Sequence, residues 1–187
     1  MKWRLPILLL LLLLGAGGLR SWYVWQRDHS QDAPILAAAR RYGIEPALVK
    51  AVVWRETLFN PNRRGKVGEI GLMQIRDATA GEWAHAERLP NFAPENLYDP
   101  ATNTLAGSWY LQKLLKRYAA TDNPLPYALA DYNAGRSNVL KWQHGPAATN
   151  SLAFITQIGF PGTKNYVRAI LRREEHYRPI FPPKEVK

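Results

Sequence analysis

The sequence predicts a mainly α-helical single domain with at most a small β-hairpin near Lys66 to Ile70, preceded by an N-terminal hydrophobic helix. Three observations carry this. Several segments open with a turn-forming residue and a proline, as helices do, and continue with apolar residues at three- and four-residue spacing. No β-branched alternating run is bounded by hairpin turns. A length of 187 residues without cysteine is enough to bury one core without covalent staples.

In chain order, Lys2 and Arg4 precede Leu5-Pro6-Ile7, an unbroken run from Leu8 to Leu14, and Gly15-Ala16-Gly17-Gly18-Leu19. A charged start followed by an apolar stretch is the layout of an export signal. Trp22-Tyr23-Val24-Trp25 extends the stretch toward spanning length with aromatics suited to a membrane interface, while small residues near Ala16 suit cleavage. Residues 1–26 are therefore assigned to a signal peptide or membrane anchor, and residues 27–187 to a domain outside the cytoplasm.

After a polar link from Arg27 to Gln31, Asp32 is read as an N-cap, Pro34 as an early helical position and Gly43 as the stop. Pro46 opens the next helix, which runs to Glu56. Asp77 to His85 forms another and carries Trp83. Leu89 to Asp99, with Pro90 and Pro94, is irregular. Asp99 and Pro100 open the longest helical pattern, through Leu105, Trp109, Leu111, Leu115 and Tyr118, and Asn123 and Pro124 open one reaching Asn133. Neither internal repeats nor low-complexity tracts occur beyond the leucine run.

Glu56 is the residue in this framework that a solvated surface does not explain. At about 100° per residue it projects between Val52 and Val49 and near Val53, with Lys50 marking the polar side. A carboxyl facing an apolar wall is costly to ionise, so its pKa rises toward the range of a general acid. From the helix alone the alternatives stay open: the side chain reaches water from the last turn, or it is buried and tied to Arg55 or another cation.

The sequence after Glu56 narrows them. Thr57-Leu58-Phe59-Asn60-Pro61 leads through a turn-rich stretch into Gly71-Leu72-Met73-Gln74-Ile75, and much later comes Ala130-Asp131-Tyr132-Asn133-Ala134-Gly135. With these elements in this order, residues from about Ile35 to Leu171 resemble the soluble-type (SLT) lytic transglycosylases, whose domain has a goose-type lysozyme-like fold. The resemblance implies a lysozyme-like domain that cleaves peptidoglycan between N-acetylmuramic acid and N-acetylglucosamine without water, leaving 1,6-anhydro ends. Glu56 is then the general acid and base. Gln74 hydrogen-bonds sugar N-acetyl or hydroxyl groups, and Met73 lines the cleft. The Tyr132 hydroxyl holds or orients Glu56, Asn133 contacts the N-acetyl group, and Ala134 and Gly135 allow a close turn. Thr57 hydrogen-bonds a cleft group, and Tyr166 is either a second cleft tyrosine or a packing residue.

Three positions depart from the family pattern. Thr57 stands for a serine after the acid, Gly65 for a serine nine residues beyond it, and Gly162, in Gly162-Thr163-Lys164-Asn165-Tyr166-Val167, for a late glutamate. They bear on substrate positioning rather than on reaction type, because the acid is retained. Glu69, Asp77 and Asp131 are read as surface acids or helix caps, although a hydrolytic lysozyme on the same scaffold would recruit one of them to activate water. Loss of catalysis, leaving a glycan-binding module, is the remaining alternative.

A net charge of +10 calls for an anionic partner. Arg63, Arg64 and Lys66 cluster, and seven tryptophans are available to stack bases, but export argues against nucleic acid. Glycan strands of peptidoglycan bearing peptide carboxylates, or an anionic membrane surface met through residues 5–25, fit both charge and location. His29, His85, His144 and His176 follow no metal-ligand spacing, and no phosphate loop, dinucleotide fingerprint or nucleophilic serine elbow occurs, so neither a metal nor a cofactor is implied.

Overall fold

A computed structural model of the chain describes residues 4–181, with side chains from residue 15 onward. Lys2 and the side chains of the leucine run, on which the export reading rests, lie outside that description. Among the described residues there are nine α-helices and no strand. They are α1 (Arg4–His29), α2 (Asp32–Tyr42), α3 (Pro46–Thr57), α4 (Asp77–Ala86), α5 (Pro100–Arg117), α6 (Pro124–Ala134), α7 (Arg136–Trp142), α8 (Ser151–Gln157) and α9 (Pro161–Tyr177). Short 3-10 turns at Pro94–Tyr98 and Gly145–Ala148 complete the order. Where the sequence allows at most a small hairpin, the chain makes only isolated antiparallel bridges, Arg64 with Ile70 and Ile70 with Ile75.

The boundaries follow local chemistry. Pro46, Pro100, Pro124 and Pro161 open their helices, where a missing N–H costs nothing. Asp99 accepts from Thr102 N at 2.8 Å and Asn123 from Leu125 N at 3.1 Å, so both act as the expected caps. Gly43 ends α2 at φ 61°. Asp32 does not cap α2. Gln31 precedes the helix, and the Asp32 carboxylate is drawn away by Lys50 Nζ at 2.6 Å and His29 Nδ1 at 2.7 Å.

Packing explains that diversion. Helix α3 lies at the centre, against α2 and α9, and every residue from Ala47 to Val53 is buried. A helix enclosed all round has no solvent face. Lys50, expected to mark the polar side, is therefore only 1% exposed. Its ammonium pairs with Asp32 and lies 4.2 Å from the centre of the Phe181 ring and 5.1 Å from that of Tyr177. Around this axis α5 packs on α2 and α6, and α6 on α9.

Helix α1 joins the domain at its C-terminal end, where Tyr177 donates to Asp28 at 2.8 Å. Further back, Trp22 and Trp25 are 59% and 57% exposed. Among the described residues no helix is long and apolar enough to cross a membrane.

A buried charge stripped of its partner costs far more than a pair replaced by apolar volume. Asp32→Asn should lower the unfolding free energy by about 3 kcal/mol, and adding Lys50→Met to that variant should recover most of the loss, as urea denaturation of the three proteins would show.

Candidate active site

Helix α3 must end where Glu56 emerges. Leu58 closes it in the left-handed region (φ 52°) and Phe59 follows at φ 66°. Two consecutive non-glycine residues at positive φ are strained, and the reversal turns Phe59 into the core. Glu56 is thereby left on the wall of a cleft of about 500 Å³, with Gln74, Tyr110, Tyr132 and Asn133 around it and Gly65, Lys66, Glu69 and Arg76 at one side.

The Glu56 carboxyl accepts from the Tyr166 hydroxyl at 2.6 Å. Its pKa is pushed from the ordinary 4.5 to about 7, chiefly by desolvation and slightly by the charge of Glu69. The Tyr166 bond and nearby Arg55 hold it back. Tyr166 is buried and keeps its proton well beyond its usual range, first because of burial and then because of Glu56.

The tyrosine on the acid is therefore Tyr166, on α9, and not Tyr132. The Tyr132 hydroxyl donates to Met73 O at 2.7 Å, while its ring meets Tyr110 at 5.4 Å and forms cleft wall. Met73, expected on that wall, is fully buried. Its side chain presses against Gly107, where any Cβ would collide with its sulfur, so only its backbone serves the site.

That backbone belongs to the turn Ile70–Ile75, the opposite jaw of the cleft. Ile70 and Ile75 exchange hydrogen bonds of 3.0 Å, and Gln74 N donates to Gly71 O at 3.0 Å. Asn103, on α5 and fully buried, holds the turn from behind. Its Oδ1 accepts from Met73 N, and its Nδ2 donates to Ile70 O and Leu97 O, all at 2.8 Å. Gly71 sits at φ 74° with Asn103 and Leu97 O where a Cβ would be, so no other residue fits. Thr57 Oγ1 donates to Leu72 O at 3.0 Å, pinning the turn to the end of α3 instead of reaching into the cleft.

Gln74 faces the cleft at φ 50°. Its amide nitrogen donates to Arg63 O (3.2 Å) and Gly71 O (3.0 Å), and its oxygen lies beside Gly65, another residue of the cleft wall. Asn133 lies on the far side, its Oδ1 accepting from buried Thr163 at 2.8 Å, and Gly135 (φ 81°) turns the chain just beyond.

Of the acids read as surface groups or caps, Asp77 sits in the first turn of α4. Asp131 differs: it is buried beneath the cleft, paired with Arg117 at 2.5 Å and accepting from Tyr118 at 2.7 Å. Glu69 stands on the cleft wall, where Arg76 bonds it at 3.2 Å. Asn103, Thr163 and Tyr110 were not singled out by sequence. Asn103 had a signal, an amide on the buried face of the helix opened by Asp99 and Pro100, because such a group needs partners. Among the described residues no cluster of metal-ligating side chains occurs.

Residues 33–155 match the Transglycosylase SLT domain. The chain belongs to this family. The Soluble lytic murein transglycosylase of Salmonella typhimurium is 32% identical to the SLT chain over 144 residues, which are 76% of this chain and 22% of that protein. Among solved structures, the 70 kDa soluble lytic transglycosylase of Escherichia coli superposes with a TM-score of 0.68 at 30% identity, covering 79% of this chain and 24% of that one. Lytic Transglycosylase Slt of Pseudomonas aeruginosa, as an inactive glutamate-to-glutamine mutant, gives 0.72 at 25% identity, covering 81% and 24%. The SLT chain thus has their mainly helical, lysozyme-like fold and spans less than a quarter of each relative's length.

Below pH 4.5 Glu56 is protonated folded or unfolded. As pH rises toward 7 the unfolded chain ionises first, so the native state loses up to about 3 kcal/mol. Glu56→Gln, which still accepts from Tyr166, should match the wild type in thermal unfolding at acid pH and exceed it above pH 7. Asn103→Ala leaves Met73 N and Leu97 O without a partner, while Ile70 O keeps Ile75 N, and should cost about 3 kcal/mol by denaturant titration.

Proposed function

We propose that this SLT chain is a peptidoglycan lytic transglycosylase that cuts the β-1,4 bond between N-acetylmuramic acid and N-acetylglucosamine with Glu56 as the acid and base. The observation that carries the reading is the state of Glu56: a carboxyl desolvated on the cleft wall, bonded to Tyr166, and balanced near pH 7 between its protonated and ionised forms. The inactive glutamate-to-glutamine mutant of the Pseudomonas aeruginosa relative and the murein named for the Salmonella relative support it.

In the proposed reaction protonated Glu56 gives its proton to the glycosidic oxygen as the bond from the muramic acid anomeric carbon breaks. The sugar's N-acetyl group supports the developing positive charge. Ionised Glu56 then takes the proton of the same sugar's C6 hydroxyl, whose oxygen closes onto the anomeric carbon. The ring product is a 1,6-anhydro end, the released strand carries a new hydroxyl, and Glu56 is protonated again. An attacking group carried by the sugar itself has a high effective concentration and requires no water site. Tyr166 assists the first half, in which the carboxylate forms, since its hydrogen bond favours the ionised group.

Hydrolysis is the second reading, and Glu69 favours it, being a second carboxylate on the same cleft wall. The products separate the two. Mass spectrometry of fragments released from purified peptidoglycan should show anhydro ends, each lighter by one water than a reducing end. Reducing ends would assign hydrolysis. Glu56→Gln should lower turnover by at least about a hundredfold; equal release by both proteins would sink the catalytic reading in favour of a binding module. We also propose that residues 5–25 place the domain outside the cytoplasm, as an export signal or as an anchor with Trp22 and Trp25 at the membrane interface.

Activity should fall above pH 7 as Glu56 loses its proton. Tyr166→Phe removes the bond that stabilises the ionised form, so the alkaline limb of the rate profile should move to higher pH.

A further inference from the structure

Gly65 and Glu69 occupy each other's space. A Cβ built on Gly65 would collide with Glu69 Oε2 and lie 2.9 Å from Gln74 Oε1. Two acceptor oxygens therefore converge on the bare backbone of one glycine, on the wall of the cleft that holds Glu56. The tight loop between them is closed by Gly65 N donating to Glu69 O at 2.7 Å.

Neither oxygen is fully used. Glu69 accepts from Arg76 through Oε1 at 3.2 Å and from Val67 N through Oε2 at 3.2 Å, so lone pairs of both oxygens remain. The Gln74 amide nitrogen is spent on the carbonyls of Arg63 and Gly71, and its oxygen has no donor among the described residues. Gln74 can thus only accept, and an ionised carboxylate can only accept. The group that completes this corner must bring hydrogens.

We infer that Glu69 Oε2 and Gln74 Oε1 form a two-acceptor clamp for a donor on the bound amino sugar, a hydroxyl or the N–H of an N-acetyl group, and that Gly65 admits the carboxylate to that position. Glu69 is then a substrate-binding residue standing in for the hydroxyl that a serine at position 65 would offer. A sugar carbonyl in this corner is repelled. The clamp rests on the glycan reading of the cleft but not on Glu56 being its catalyst.

The test is made in the Glu56→Gln background, so that binding is read without turnover. The probe is the tetrasaccharide of alternating N-acetylglucosamine and N-acetylmuramic acid, titrated by calorimetry. Adding Glu69→Ala should weaken its Kd about tenfold, the usual cost of a lost hydrogen bond to a charged group. Glu69→Gln, which keeps one acceptor oxygen, should lose less. Gly65→Ser combined with Glu69→Ala should regain most of the affinity, which loop repair alone would not do. Unchanged affinity in Glu69→Ala, no recovery with the serine, or no binding of the tetrasaccharide to the Glu56→Gln parent would each overturn the clamp. Should Glu56 prove not to be the catalyst while the Glu69 series behaves as expected, the chemistry proposed above fails and the clamp stands.

Discussion

Tyr166 reaches Glu56 from α9 across 110 positions of sequence, and their 2.6 Å hydrogen bond joins the ends of two helices that pack against each other. Helix α3 is buried from Ala47 to Val53 and yet ends in an acid at a cleft wall. A carboxyl there can be left undersolvated, paired with a cation, or given a neutral donor. A cation in contact would lock it ionised, whereas solvent would return it to the ordinary carboxylate range. A buried phenol that keeps its own proton does neither. The packing of α9 on α3 is thus tied to the protonation of one group.

The opposite jaw meets a different constraint. A turn that presents Gln74 at positive φ is strained, and its backbone groups face a core on one side and a cleft on the other. Side chains take up the turn's backbone groups: Ile70 O and Met73 N bond Asn103, Leu72 O bonds Thr57 and Met73 O bonds Tyr132. Three helices, α3, α5 and α6, each contribute one side chain to it. Strain that is over-determined in this way persists, and the reward is a glutamine whose oxygen is aimed before any ligand arrives.

What was legible in the sequence was local. Prolines and capping residues marked α3, α5 and α6, and the apolar neighbours of Glu56 along one helix foretold its raised pKa. Lys50 misled because a single helix's pattern shows which face is polar, not whether that face is also covered by a neighbour and ion-paired. The two tyrosines exchanged roles for a similar reason. A Tyr-Asn motif marks a cleft element, but which carbonyl or carboxyl its hydroxyl meets depends on how α6 and α9 pack. Met73 failed on volume: Gly107, distant in sequence, leaves a space that only the structure reveals. Helix α9 was not assigned from sequence at all, although Tyr166, Val167, Ile170, Glu174 and Tyr177 are its buried stripe. Its dense charges hide that stripe from a reading by composition and yield to one by spacing.

The proposed chemistry asks a single carboxyl to give a proton and then take one, so neither form can be strongly favoured. Desolvation and the Glu69 charge push Glu56 toward the acid; Tyr166 and Arg55 push it toward the carboxylate. The opposing influences come from separate parts of the chain: the burial of α3, the loop carrying Glu69, helix α9, and the residue adjoining the acid. Glu69 therefore bears on the acid in two ways, as a charge at a distance and as an oxygen on the cleft wall. A serine at position 65 would supply the wall contact without the charge. The Glu69 charge thus raises the proton affinity of Glu56, and Arg76 on the other oxygen of Glu69 tempers that charge.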